Sequence, residues 1–203
     1  MGKHTKKQIP VPPEIKLDLG AGRNPVPGYT SVDLYAPDVA VKCDLFKLPW
    51  CAPGSTKPLW ADGSVSELHA SHFIEHIPRE LRWPFFEECW RVLKVGGTMR
   101  IAVPNWKSER AYGDMTHEWP PVACFFFYYL HKGWRDANKL TYGPYLIKAN
   151  FDHQMGPAGI NMPWAQKSLE AQQYACTHFL ESYQDAWVLL TKRPLDYVLP
   201  PPT

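Results

Sequence analysis

Ile15-Lys16-Leu17-Asp18-Leu19 alternates apolar and polar residues and runs directly into Gly20-Ala21-Gly22. Alternation over so few positions is the pattern of a half-buried strand, and the glycines mark a turn at its end. Because glycine has no side chain, the backbone of such a turn lies open to close approach by a ligand. In open α/β sheets, ligands gather outside the carboxyl ends of the strands. A strand that ends this way constrains both the fold class and the place where chemistry would occur.

Two further short strands are predicted at 30–34 and 39–44, reaching Asp33 and Asp44. A carboxylate at the end of the second strand suits both hydroxyls of a ribose, and one after the third suits the exocyclic amine of a base. Either is also common as a solvated residue that merely ends a strand. Pro49 to Gly63 reads as a loop, and Val65 to Ala70 as a fourth strand. From Arg79 to Lys94, Leu81, Phe85, Cys89 and Leu93 recur every fourth residue, which predicts an amphipathic helix stopped by Gly96-Gly97. Thr98 to Val103 is the next strand, closed by Pro104. A helix at about 165–179 and a last strand at 186–192 complete the pattern. Alternation of strands with helices predicts an α/β fold, a mostly parallel sheet of roughly seven strands with helices on both faces. One domain is expected over 15–203, with an irregular, aromatic-rich insertion at about 105–164 and a flexible polar leader at 1–14.

Composition narrows the function. With 22 Lys and Arg against 20 Asp and Glu, the formal charge is +2, too small for a dedicated nucleic-acid binder. The most apolar run, Val122 to Leu130, is far shorter than the roughly 20 residues of a membrane span. The five cysteines are scattered and never spaced as CxxC, so they read as free thiols in a reducing, cytoplasmic setting. The expected partners are a small-molecule or sugar substrate, with neither nucleic acid nor membrane.

The order of these features resembles the class I S-adenosylmethionine-dependent methyltransferases, especially the small "methyltransferase type 11" kind, over residues 15–104. Leu17 to Gly22 is similar to the family's first motif, and Ser31-Val32-Asp33-Leu34 to its ribose-binding strand end. Asp44-Leu45 with Leu48-Pro49 resembles its adenine-contacting segment. His69 to Ile77, then Trp90 to Gly97, resembles its fourth strand and following helix. The resemblance implies a Rossmann-like sheet with an antiparallel edge and S-adenosylmethionine as cofactor. It puts Gly20, Ala21 and Gly22 under the methionine part, Asp18 near its amino group, Asp33 and Leu34 at the ribose, Asp44 and Leu45 at the adenine, and Ser71 and His72 beside the sulfonium. Two departures stand out. Only ten residues separate Gly22 from Asp33, and they include Pro25, Pro27 and Gly28, so the helix that normally follows the first motif is reduced to a turn. The same shortness argues against a dinucleotide fingerprint, which needs a helix and an acid about 20 residues on. Val95 stands where the family usually has proline.

Asp114-Met115-Thr116-His117 follows the fifth strand, where the family often carries a similar stretch. His117 is therefore the first choice for a general base or substrate contact, with Asp114 and His72 beside it; imidazole, with an ordinary pKa of about 6.5, suits proton removal at neutral pH. The alternative is that His117 only orders its loop. His72 and His76 share an i, i+4 spacing but lack a carboxylate partner in a known metal motif, so no metal is expected. The aromatic run around Phe125 to Tyr129 reads as core, as a substrate lid or as a homodimer interface. The function implied is methyl transfer to an oxygen or nitrogen of a small molecule or sugar. Action on protein or RNA, and a module that binds the cofactor without turnover, are the alternatives. Gly20→Val is expected to block the ligand while leaving the fold intact.

Overall fold

A computed structural model describes residues 14–197. The leader expected at 1–14 lies outside them except for Glu14. Seven strands form one sheet: β1 (Ile15–Leu19), β2 (Thr30–Asp33), β3 (Val41–Lys42), β4 (Val65–Ser71), β5 (Leu93–Pro104), β6 (Phe151–Ile160) and β7 (Tyr183–Lys192). Their order is β3-β2-β1-β4-β5-β7-β6. The first five run parallel, and β7 lies antiparallel between β5 and β6. The chain leaves β1 toward β2 and β3, then returns to β4 on the other side of β1. That reversal is a switch point, where the carboxyl ends of β1 and β4 leave a crevice.

Helices are few. Only α1 (Arg82–Val92) and α4 (Leu169–His178) exceed one or two turns among the described residues; α2 (Arg110–Gly113) and α3 (Lys132–Ala137) are short. The connections from β1 through to β4 carry none. Their covering role falls to a loop, which buries Trp50 and Trp60 edge to face at 5.9 Å and sets Trp50 5.6 Å from Phe85 of α1. The buried Glu88 of α1 ties this loop down by accepting from Trp50 N at 2.9 Å. Of the four-residue repeat, Phe85 and Cys89 fall within α1 and are buried, with Phe86 and Val92 buried beside them. Pro84 sits in the first turn, where its missing N–H leaves no bond unmade.

The helix is shorter than predicted, and β5 starts earlier, at Leu93. Leu93 pairs with Val65 and Thr98 with Glu67, so 94–97 bulges out of the ladder. Gly96 turns this bulge at φ +77°, and a Cβ on Gly97 would meet two backbone oxygens at 2.8 and 3.0 Å. The stretch 105–164 also differs from the expected irregular insertion, because it contains β6. Its aromatic run forms a 3-10 segment, Cys124–Leu130, with Phe127 and Leu130 in the core and Phe126 stacked on Trp83 at 4.7 Å. All five cysteines are free; Cys43 and Cys89 are buried, which pushes both thiols up, Cys43 to about 12.

Candidate active site

The turn after β1 is built by two backbone bonds, from Gly20 N and Ala21 N to Val32 O at 2.9 and 3.2 Å. Gly20 and Gly22 both take positive φ, +66° and +57°, which other residues rarely adopt. A Cβ on Gly20 would lie 2.2 Å from Cδ2 of Phe73, so the space beside this glycine is filled by protein. The expectation that Gly20→Val spares the fold is therefore corrected: the variant would displace Phe73. Asp18 is buried, and both its oxygens are engaged. Oδ2 accepts from Val26 N at 2.9 Å, and Oδ1 pairs with His69 Nδ1 at 2.7 Å. Asp18 and His69 are register partners across β1 and β4, so this pair fastens the switch point itself. Asp18, the turn from Gly20 to Gly22, His69 and Ser71 line a cleft of about 540 Å³.

Asp33 ends β2 with its carboxylate turned to the backbone. Oδ1 accepts from Tyr35 N and Ala36 N at 2.7 and 2.9 Å, and Oδ2 from Gly22 N at 3.1 Å. Partial burial pushes its pKa up, but these three donors and Lys42 outweigh that and hold it below the usual value. Asp44 accepts from Phe46 N at 3.1 Å and faces Lys47 at 3.2 Å. Asp33, Leu34, Asp44 and Leu45 border a narrow slot, roofed by Phe46 and Phe73 stacked at 5.9 Å. Neither phenylalanine was singled out from sequence; both follow a marked position by one or two residues, where an apolar residue reads simply as core.

Ser71 closes β4, and His72 follows with φ +51°, a strained backbone for a residue with a Cβ and one that clusters at functional sites. Its Nδ1 lies 3.3 Å from Glu75 Oε1, and its Nε2 3.9 Å from Asp185. Glu75 raises the His72 pKa, against burial and with help from Asp185. Across a cavity of about 300 Å³ stand His117 and Asp114. Thr116 donates to Asp114 Oδ1 through both its hydroxyl, at 2.7 Å, and its N–H, at 2.8 Å, and these bonds hold the Asp114 carboxyl low. His117 Nδ1 lies 3.2 Å from Ala111 O, so this nitrogen carries a proton, and in the neutral imidazole Nε2 keeps the lone pair. The three residues expected here come together, joined by Glu75, His76 and Arg110. The Phe125–Tyr129 cluster does not line this cavity. Phe125, 56% exposed, packs edge to face on Trp134 instead.

Two solved structures share this architecture. A S-adenosylmethionine-dependent methyltransferase from Archaeoglobus fulgidus superposes with a TM-score of 0.56 over 88% of this chain and 86% of its own, at 19% identity. Another from Thermotoga maritima gives 0.55 over 90% and 84%, at 13% identity. The fold is that of the class I methyltransferases. No family model and no curated protein matches the sequence. The turn after β1 carries no helix and is held by Asp18 and Asp33, through the bonds from Val26 N and Gly22 N.

Proposed function

We propose that this chain is an enzyme that binds S-adenosylmethionine at the switch point and transfers its methyl group to an oxygen or nitrogen of a small molecule or sugar. The observation that carries the reading is the alignment of three recesses along the carboxyl ends of the strands. The slot between Asp33 and Asp44 would take the adenosine, the cleft from Asp18 to Ser71 the methionine, and the cavity of His72, Asp114 and His117 the acceptor. The slot fits a nucleoside chemically, with apolar walls from Leu34, Leu45, Phe46 and Phe73 and an acid at each edge. When bound, the cofactor supplies an electrophilic methyl carbon to an acceptor lone pair.

The chain's own part is positioning and proton removal. Asp33 offers about four acceptor sites as a carboxylate, and three are used, so one remains for a ribose hydroxyl without rearrangement. His72, held protonated by Glu75 to higher pH than an ordinary histidine, suits a hydrogen-bond donor better than a base. Nε2 of His117 is the free lone pair facing the cavity, open either to the acceptor's proton or to a ligand that binds the acceptor. No helix among the described residues is long and apolar enough to cross a membrane, and the free thiols accord with the cytoplasm.

Titration calorimetry with S-adenosylhomocysteine should give saturable binding, and NAD none. NAD binding without a response to the sulfur ligand would overturn the reading. Once an acceptor is found, product formation separates an enzyme from a binding module, and His117→Ala should slow turnover roughly 10²–10⁴-fold if a proton is removed there.

A further inference from the structure

Glu75 is 3% exposed, and neither carboxylate oxygen has a hydrogen-bond partner. A buried carboxylate left this way is costly, because neither water nor a protein donor replaces its hydration. His72 Nδ1 approaches to 3.3 Å but is poorly aligned for a hydrogen bond, and its side chain is 40% exposed. Arg82, a buried guanidinium, is committed elsewhere. It donates to the backbone oxygens of Ile77, Glu118 and Pro120. The carboxylate thus has the half-exposed His72 imidazole beside it but no hydrogen bond to either oxygen.

Two histidines stand beside it. Glu75, His76 and His117 each bring a ligating atom within 4.8 Å of the others, and the two imidazoles meet edge to face at 4.9 Å. Their orientation is the informative part. His117 Nδ1 is bonded to Ala111 O at 3.2 Å; His76 Nδ1 lies between Thr116 O at 3.2 Å and Thr116 Oγ1 at 3.1 Å, and that hydroxyl's own hydrogen goes to Asp114 Oδ1. Each Nδ1 thus faces acceptors and carries a proton, and in the neutral imidazole each Nε2 then presents a lone pair. An imidazole whose far N–H is tied to a backbone carbonyl is the arrangement that orients metal-bound histidine. The scaffold is anchored as well, since Glu118 N donates to Glu75 O at 2.8 Å and locks the His117 loop to the Glu75 turn.

We propose that Glu75, His76 and His117 are the protein ligands of a divalent transition-metal ion, of the zinc class, at the wall of the acceptor cavity. Two imidazoles and one carboxylate are a donor set that suits zinc. Tetrahedral zinc, with bonds near 2.0–2.1 Å, draws its ligand atoms to about 3.4 Å apart, so the half-buried imidazoles close inward on binding. Three protein ligands leave a fourth position, and all three residues line the cavity. Asp114 Oδ2, 3.9 Å from His117 Nε2, stands next to it. The existence of the site is independent of methyl transfer. Its use rests on that reading: an acceptor hydroxyl bound at the fourth position would lose its proton to solvent more readily, and its oxygen lone pair would then form the bond to the methyl carbon as the carbon–sulfur bond of the sulfonium breaks, its electron pair staying on sulfur and S-adenosylhomocysteine leaving. His117 then serves as a ligand and not as the base, because one Nε2 lone pair cannot do both.

The test is titration of the chelator-treated full chain with Co²⁺, followed by visible absorption, and with Zn²⁺, followed by calorimetry, both without any cofactor. The expected result is binding stoichiometric with the chain and a cobalt spectrum with nitrogen and oxygen ligands. His76→Gln and His117→Gln should each weaken Co²⁺ by more than about 100-fold, beyond the loss of an outer-shell partner, while affinity for S-adenosylhomocysteine stays within a few-fold. Should a histidine variant unfold, Glu75→Gln keeps the shape and carries the same expectation. Absence of stoichiometric binding, thiolate absorption in the cobalt spectrum, or undiminished binding in these variants would overturn the site. Cobalt binding with no response to S-adenosylhomocysteine would leave the metal site standing and remove the methyl-transfer reading instead.

Discussion

Asp33 serves two masters, and its chemistry separates them. Its oxygens satisfy Gly22 N, Tyr35 N and Ala36 N, and what capacity remains is the proposed ribose contact. Asp33→Ala removes a charge-assisted acceptor and should weaken S-adenosylhomocysteine by about 1.5–3 kcal/mol, roughly 10–150-fold. Calorimetry showing unchanged affinity would take Asp33 out of the site. Because its folded pKa is depressed, its contribution is present above the ordinary aspartate value of about 3.9 and lost as pH falls through the folded value. Stability should accordingly fall in acid below about pH 4, and less so in Asp33→Asn, which does not titrate. Gly20 presents the opposite case, a residue whose legible role was incomplete. The glycine turn was readable from sequence, but its tenant was not, since Phe73 is distant in the chain and no pattern links the two. Gly20→Ala should cost about 1–3 kcal/mol in urea denaturation from crowding and a strained φ. Adding Phe73→Ala should recover part of the loss on Gly20→Ala; strictly additive effects would mean the two do not meet.

Strands whose pattern alternates over a buried face were legible: β1, β2, β4 and the central part of β5 stand where periodicity puts them. The edge strand β6 was not. Its sequence, from Phe151 to Ile160, holds Gly156, Pro157 and Gly159, which read as loop. The structure explains them. Gly156 lies opposite Trp187 of β7, and a Cβ there would meet the indole at 2.8 Å. Proline is tolerated because an edge strand has one side free of the ladder. At the other edge β3 shrinks to two residues, since Ala40 N donates to the side-chain Oγ of Ser31 on β2 and not to a backbone oxygen of that strand. Joining β2 to the centre of the sheet is a side-chain bond: Tyr29 O–H, at the mouth of β2, donates to Glu67 Oε2 of β4 at 2.5 Å. Burial and then this bond push the Tyr29 pKa up to about 12, and burial, helped by Cys124 and Cys176, does the same to Tyr183 at the start of β7. A raised folded pKa means the contribution is complete below the ordinary tyrosine value of about 10 and is lost as pH rises toward 12. The urea midpoint should therefore drop between pH 10 and 12, with a smaller drop in Tyr29→Phe; an identical profile for the variant would show that the Tyr29–Glu67 bond carries no stability.

Across the whole molecule, the sheet order gathers chemistry from distant parts of the chain into one rim. Asp18 and Gly20 come from the end of the first strand, Asp33 from the end of the second, Asp44 from just past the third, Ser71 and His72 from the end of the fourth, and His117 from past the fifth. None of these groups is assembled in an unfolded chain, so a ligand that spans the rim binds only the folded state and must stabilise it by mass action. At a free concentration of 100 times Kd, that linkage is worth about 2.7 kcal/mol. In a domain of this size each kcal/mol moves Tm by roughly 2–4 °C, which gives an upward shift of about 5–10 °C. Differential scanning fluorimetry with S-adenosylhomocysteine should show that shift and its growth with the logarithm of ligand concentration, while NAD at equal concentration leaves Tm unchanged. Asp33→Ala should need a roughly 10–150-fold higher concentration to reach the same shift, in step with its loss of affinity. A shift of equal size in the variant would show that the ligand binds elsewhere, and a flat response in the parent chain would remove the switch point as a cofactor site.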